Sequence, residues 1–92
     1  MIASFRHKGL QAFFETGSTK GIQAKHTQKL TRILLALDTA VAPAELDLPG
    51  YRLHALKGKR KGFWSVWVNG NWRIIFRFDG VDAELVDYLD YH

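Results

Sequence analysis

Asp90-Tyr91-His92, at the end of the sequence, place a carboxylate, a phenol and an imidazole side by side. All three can carry protons or hydrogen-bond a phosphate. An apolar run, Ala83 to Leu89, leads straight into them, so they are expected at the end of a strand, held at a sheet edge. A second imidazole, His54, shares its strand face with Arg52 and is followed by Lys57-Gly58-Lys59-Arg60-Lys61-Gly62. Imidazole both gives and takes a proton near neutral pH. Arg73 offers a guanidinium fork that matches a phosphate with two hydrogen bonds. Such a fork also holds charge that grows on a phosphorane-like transition state. Together these residue types look like the parts of a small ribonuclease site.

Charge placement supports a polyanionic partner. The net charge is only +4, but Arg52, His54, Lys57, Lys59, Arg60 and Lys61 fall together with no acid among them. The acids gather late, at Asp79, Asp82, Glu84, Asp87 and Asp90. Arg52, Lys57, Lys59, Arg60, Lys61 and Arg77 are therefore the candidate phosphate contacts; the competing reading of the loop is an ordinary solvated turn. No metal site is expected: His7, His26, His54 and His92 lack metal-ligand spacing, and there is no cysteine. The lack of cysteine excludes disulfides and fits a reducing cytosol. No phosphate-cradling Gly-rich loop and no nucleophilic Ser in a Gly-x-Ser-x-Gly setting is found. No apolar stretch is long enough to span a membrane, and no signal peptide is evident.

The elements that must position these groups can be read from periodicity. The 92 residues, 47% hydrophobic, are expected to form one domain over 1–92. Ile2 to Phe5 reads as a short strand. Leu10, Phe13 and Phe14 mark a short amphipathic helix that Gly17 would end. Ser18 or Thr19 would cap a second helix running from Gly21 or Ile22 to Thr39, with Leu30, Ile33, Leu34 and Leu37 as its apolar stripe. Pro43 and Pro49-Gly50 stop it, and Ala44 to Leu48 could hold one more turn. From Tyr51 the period becomes two. Strands are expected over Tyr51–Leu56, Phe63–Val68, Trp72–Phe78 and Val81–Leu89, joined by type I′ turns at Asn69-Gly70 and Asp79-Gly80. The fold class is α+β: two N-terminal helices packed on a twisted antiparallel sheet made of the short N-terminal strand and a C-terminal meander. Trp72, Ile74, Phe76 and Phe78 would face the helices. Arg73 and Arg77 would then face a solvated side where the function lies.

Four stretches carry a family resemblance: Ile2 to Leu10 with Phe13 to Gly17, His54 to Ser65, Asn71 to Ile74, and Asp90-Tyr91-His92. In this order and spacing they resemble the HigB-type toxins of bacterial toxin–antitoxin pairs, members of the RelE/ParE superfamily. The resemblance implies a RelE-like compact fold and a cytoplasmic, ribosome-dependent mRNA endoribonuclease. Such an enzyme cuts mRNA in the decoding site of the small ribosomal subunit by 2′-hydroxyl attack, with no metal or other cofactor, and so inhibits translation and growth. By position, His54, Asp90, Tyr91 and His92 match the family's catalytic cluster, and Lys57 and Arg73 its phosphate-facing bases. Some relatives carry a further arginine before the hairpin, where this chain has Val68 and Asn69; Arg77 or Arg60 could replace it. The implied partners are the ribosome, mRNA and a HigA-type helix-turn-helix antitoxin, which alone would contact operator DNA. Two other readings stand beside this one: a ParE-like poison of DNA gyrase, which shares the fold but has no nuclease chemistry, and a non-enzymatic RNA- or ribosome-binding module.

Overall fold

Two helices cover one face of a four-stranded antiparallel sheet in the computed structural model, which describes residues 1–91. Helix α1 spans Lys8–Thr16. Its start is fixed by His7, whose Nδ1 accepts the Leu10 N–H at 2.9 Å. It ends on Gly17, whose left-handed backbone (φ +81°) lets its N–H reach the Phe13 carbonyl, as a glycine at that position does. Helix α2 spans Thr27–Thr39 and begins later than the sequence suggests. Gly21 sits at φ +83°, which no right-handed helix contains. The chain instead makes a turn there, then a short 3₁₀ segment at Ala24–His26, and only then the α-helix. Leu30, Ile33, Leu34 and Leu37 are all buried, as their spacing requires. A second 3₁₀ turn covers Pro43–Leu46 and buries Leu46.

The sheet runs in the order β1 (His54–Ala55), β2 (Trp64–Asn69), β3 (Trp72–Asp79), β4 (Asp82–Asp90). Ile2 and Phe5 add parallel bridges to Ala83 and Val86 at the β4 edge, rather than a full strand. Ser4 Oγ accepts the Leu85 N–H, and Asp38 accepts the Ile2 N–H, so the N-terminal segment is tied to both layers. The strand expected over 51–56 shrinks to two residues because Arg52 takes φ +51°, outside the extended region. Both hairpin turns sit one residue later than expected. Asn69 pairs with Trp72 and Asp79 with Asp82, so the central residues are Gly70-Asn71 and Gly80-Val81. Only the glycine of each pair has positive φ, which is the signature of a II′ turn rather than the expected I′.

Register divides the sheet into two faces. Val66, Ile74 and Tyr88 line up across β2, β3 and β4 and point into the core, where they meet α2, Leu10 and Phe76. Ser65, Ile75 and Asp87 line up on the outer face, as do Trp67, Arg73 and Leu89. The outer face is not simply solvated: Leu56, Ser65 and Ile75 are all buried.

One irregularity matters for function. Arg77 pairs with Glu84, but Ile75 pairs with Asp87, so one extra residue enters β4 between them. Leu85, at φ +53°, marks this bulge. An inserted residue exchanges the faces of everything that follows. Before the bulge Glu84 lies on the outer face; after it Asp87 and Leu89 do, and Tyr88 turns inward.

Candidate functional site

The outer face of the sheet carries a cleft of about 440 Å³, lined by Arg52, His54, Ala55, Leu56, Lys57, Ser65, Arg73 and Tyr91. His54 stands on β1 directly across from Ser65 of β2. Arg73 enters from β3, one hairpin away. Its Nη1 donates to the carbonyls of Gly70 (3.0 Å) and Trp72 (3.2 Å), which ties the guanidinium to the turn. Trp67 Nε1 donates to the same Gly70 carbonyl at 2.9 Å. Tyr91 continues the β4 edge: its N–H donates to the Asn71 carbonyl at 2.8 Å. The guanidinium of Arg60 lies 5.3 Å from the Tyr91 ring centre and braces the phenol at the rim. Lys57 completes the wall where β1 leads into the 3₁₀ turn Gly58–Arg60.

No carboxylate is found among the described lining residues, which include three permanent cations and one imidazole. Fixed positive charge around a partly enclosed cleft attracts a phosphate and favours extra negative charge on it. The volume suits a nucleotide-sized group. Leu56 at 7% exposure and Ser65 at 5% give the cleft a buried floor.

Five residues expected from the sequence therefore meet in one cleft: Arg52, His54, Lys57, Arg73 and Tyr91. The others stand elsewhere. Asp90 pairs with Trp72 and so lies on the helix-side face of β4, away from the cleft. Arg77 is held by Glu84 through a 2.6 Å ion pair, with its guanidinium 5.4 Å from the Phe63 ring centre, and does not line the cleft. Lys59 and Lys61 are exposed on the loop outside it. Before the hairpin turn, Val68 is buried and Asn69 exposed, and neither is charged. His92 lies outside the described residues.

Sequence reasoning missed Ser65, which has no motif to announce it. It also missed a second polar cluster on the helix side. His26, 1% exposed, has its Nδ1 at 2.6 Å from the Tyr88 hydroxyl. Trp72 lies tilted against Tyr88 and His7 meets it edge-on, at 4.6 and 5.4 Å between ring centres. Burial, and then the neighbouring Lys25 charge, hold the His26 imidazole below its usual pKa. Burial pushes the Tyr88 phenol up, against a smaller opposite effect of a backbone hydrogen bond from Gln23. A signal did exist: His26 extends the stripe of Leu30, Ile33 and Leu37 by one helical turn.

Comparison with known proteins agrees over the whole length. Residues 3–92 match the family described as RelE-like toxin of type II toxin-antitoxin system HigB. The Endoribonuclease HigB of Proteus vulgaris is 48% identical over 92 residues, which cover all of both chains. The Toxin HigB-1 of Vibrio cholerae serotype O1 is 38% identical over 95 residues, covering all of this chain and 98% of that one.

Proposed function

Since the chain belongs to the HigB family of RelE-like toxins of type II toxin–antitoxin systems, we propose that it is an endoribonuclease that cuts mRNA on the ribosome and thereby stops translation and growth. The observation that carries this reading is the convergence of His54, Lys57, Arg73, Arg52 and Tyr91 on one cleft with no carboxylate among its described walls. A gyrase-binding surface would have no need of an imidazole and a tethered guanidinium in the same cleft.

In this reading the groups divide the chemistry among them. His54 takes the proton of the 2′-hydroxyl as that oxygen bonds to the neighbouring phosphorus. Arg73 and Lys57 neutralise the pentavalent phosphate, which carries more negative charge than the ground state. The bond to the 5′-oxygen breaks, and that oxygen takes a proton from a general acid. We assign this second role to His92. The products are a 2′,3′-cyclic phosphate and a 5′-hydroxyl. Tyr91, at the rim beside Arg60, stacks on a base or bonds the phosphate. Asp90, on the reverse side of β4, acts as a positioning residue rather than on the RNA.

A wide cleft on a small basic protein orients a free strand poorly. The small-subunit decoding site supplies that orientation, since fixing the reacting groups in line is worth several powers of ten in rate. The partner that a type II system supplies is an antitoxin; we propose a HigA-type helix-turn-helix protein, through which the pair reaches operator DNA. The site of action is the cytoplasm. Among the described residues no helix is long and apolar enough to cross a membrane.

The test is cleavage of mRNA by purified protein, with and without programmed ribosomes, mapped by primer extension. Cuts within codons that need ribosomes are expected, and they should vanish in a folded His54→Ala variant. Equal cutting of naked mRNA would overturn the ribosome requirement. Cutting by His54→Ala at the wild-type rate would remove His54 from the chemistry. Growth arrest with intact mRNA and broken DNA would point to gyrase.

A further inference from the structure

Beside the cleft, two cations flank one indole ring, and a third stands near one of them on α2. The guanidinium of Arg52, a cleft residue, lies 4.1 Å from the ring centre of Trp67. The ammonium of Lys29 reaches round from α2 to within 5.0 Å of the same ring and 5.4 Å of Tyr51. A Gly50 carbonyl 3.4 Å away anchors it. Arg32 stands three residues further along α2, the spacing at which side chains on a helix are neighbours. Among the described residues none of the three forms an ion pair.

Such a group resists its own assembly. Aromatic faces attract cations, but one indole cannot offset repulsion among three. The ammonium of Lys29 is held below its usual pKa, first by burial and then by the charges of Arg32 and Arg52. The backbone contributes a second cost: Arg52 occupies the left-handed region, at φ +51°, which disfavours side chains other than glycine. That conformation truncates β1 and brings Arg52 both to the cleft and onto Trp67. Uncompensated positive charge and local backbone strain therefore coincide at one place. An anion would relieve the first and give the second a use.

We propose that Lys29, Arg32 and Arg52 form a second phosphate subsite, continuous with the cleft through Arg52, which binds the backbone of the substrate RNA strand beside the cleaved linkage. The inference rests on the ribonuclease reading of the cleft and extends it: the strand leaves the cleft over Trp67 and runs round the β1 edge toward α2. Trp67 serves as a spacer that holds two cations rather than as a stacking platform for a base.

The experiment compares wild type with Lys29→Gln/Arg32→Gln. Binding is measured across a salt series to a short single-stranded 2′-O-methyl RNA, which has no free 2′-hydroxyl, and separately to purified small ribosomal subunits. Each phosphate contact on a single strand contributes a slope of roughly 0.7 in log K against log salt, so losing two should flatten the plot by about 1.4. That flattening on the oligonucleotide is the expected result. An unchanged slope on both ligands overturns the proposal, and flattening on the subunits alone overturns the assignment to the substrate strand. Thermal melting separates binding from a structural role: removing crowded like charges should leave the midpoint unchanged or raise it, whereas a fall would mean that the cations hold the fold. Should the double variant fail to fold, Arg32→Gln alone, exposed on α2, should flatten the oligonucleotide plot by roughly 0.7. If wild type binds RNA with the expected salt slope but cuts nothing, the ribonuclease reading fails while the subsite stands.

Discussion

Tyr88→Phe removes a single oxygen, and the structure says what that oxygen does. Tyr88 is 2% exposed and its ring is packed by Trp72, His7 and His26. Phenylalanine keeps this packing, so the cavity left behind is small. What is lost is the 2.6 Å hydrogen bond to His26 Nδ1 and the acceptor for the Gln23 backbone. His26 Nε2 already has no partner among the described residues, so the variant would leave the imidazole with none at either nitrogen. A buried polar group stripped of its partner costs about 1–3 kcal/mol. For a chain of this size each kcal/mol moves the melting midpoint by roughly 4–8 °C, so a loss near 2 kcal/mol lowers it by roughly 8–16 °C. The double variant His26→Leu/Tyr88→Phe replaces both partners with apolar groups and should recover much of the loss. The assay is thermal and urea denaturation followed by circular dichroism. A midpoint for Tyr88→Phe within about 2 °C of wild type would refute the reasoning, as would strictly additive losses in the double variant.

Other outcomes follow from the same geometry. The pH dependence of stability should carry a His26 component. Its folded pKa is lowered, so between that value and about 6.5 the unfolded chain binds the extra proton; this stability is complete above neutral pH and is lost as pH falls through the folded value. Melting from pH 7 down to pH 5 should show the decline, and His26→Leu should flatten it. His54→Ala should reduce single-turnover cleavage by about 10²–10⁴-fold with an unchanged melting midpoint, because the side chain is exposed. Arg73→Lys keeps the charge but loses the planar fork and its bonds to the turn. Its kcat should fall well below wild type while the salt slope of RNA binding stays close to it.

The layers of the fold were legible because each depends on a simple period. The stripe Leu30, Ile33, Leu34 and Leu37 could only be one helix face, and the alternation of Trp72, Ile74, Phe76 and Phe78 only one sheet face. The end of α1 at Gly17 was legible for the same local reason. Boundaries set by backbone sign were not. Gly21 delays α2, Arg52 shortens β1, and Gly70 and Gly80 shift both turns by one residue. Asn-Gly and Asp-Gly advertise type I′ turns, but the pairing of Asn69 with Trp72 and of Asp79 with Asp82 places glycine first in each loop. Register is decided by long-range packing of Val66, Ile74 and Tyr88, which no dipeptide encodes.

The site shows the same division more sharply. His54 and Arg73 could be assigned to one face because the register is regular where they stand: His54 pairs with Ser65, Ser65 with Ile75 and Trp67 with Arg73, and the β2–β3 irregularity lies beyond Trp67, toward the turn. Asp90 and Tyr91 could not be told apart, since adjacent strand residues always point to opposite sides and the sequence does not reveal which side is which. The bulge at Leu85 makes that choice. With unbroken alternation from Glu84, positions 86, 88 and 90 would share the outer face; the extra residue sends 87, 89 and 91 there instead. It therefore places Tyr91 in the cleft, Tyr88 against His26, and Asp90 behind the strand. The Ser4 hydroxyl that accepts the Leu85 N–H satisfies the donor that the bulge withdraws from the ladder. Ser4→Ala should therefore loosen the bulge and, through register, reduce cleavage as well as stability, although Ser4 is not among the described residues that line the cleft. Amide exchange along β4 would report the first effect and single-turnover cleavage the second. Full activity together with faster exchange at Leu85 would show that the placement of Tyr91 does not depend on this bond.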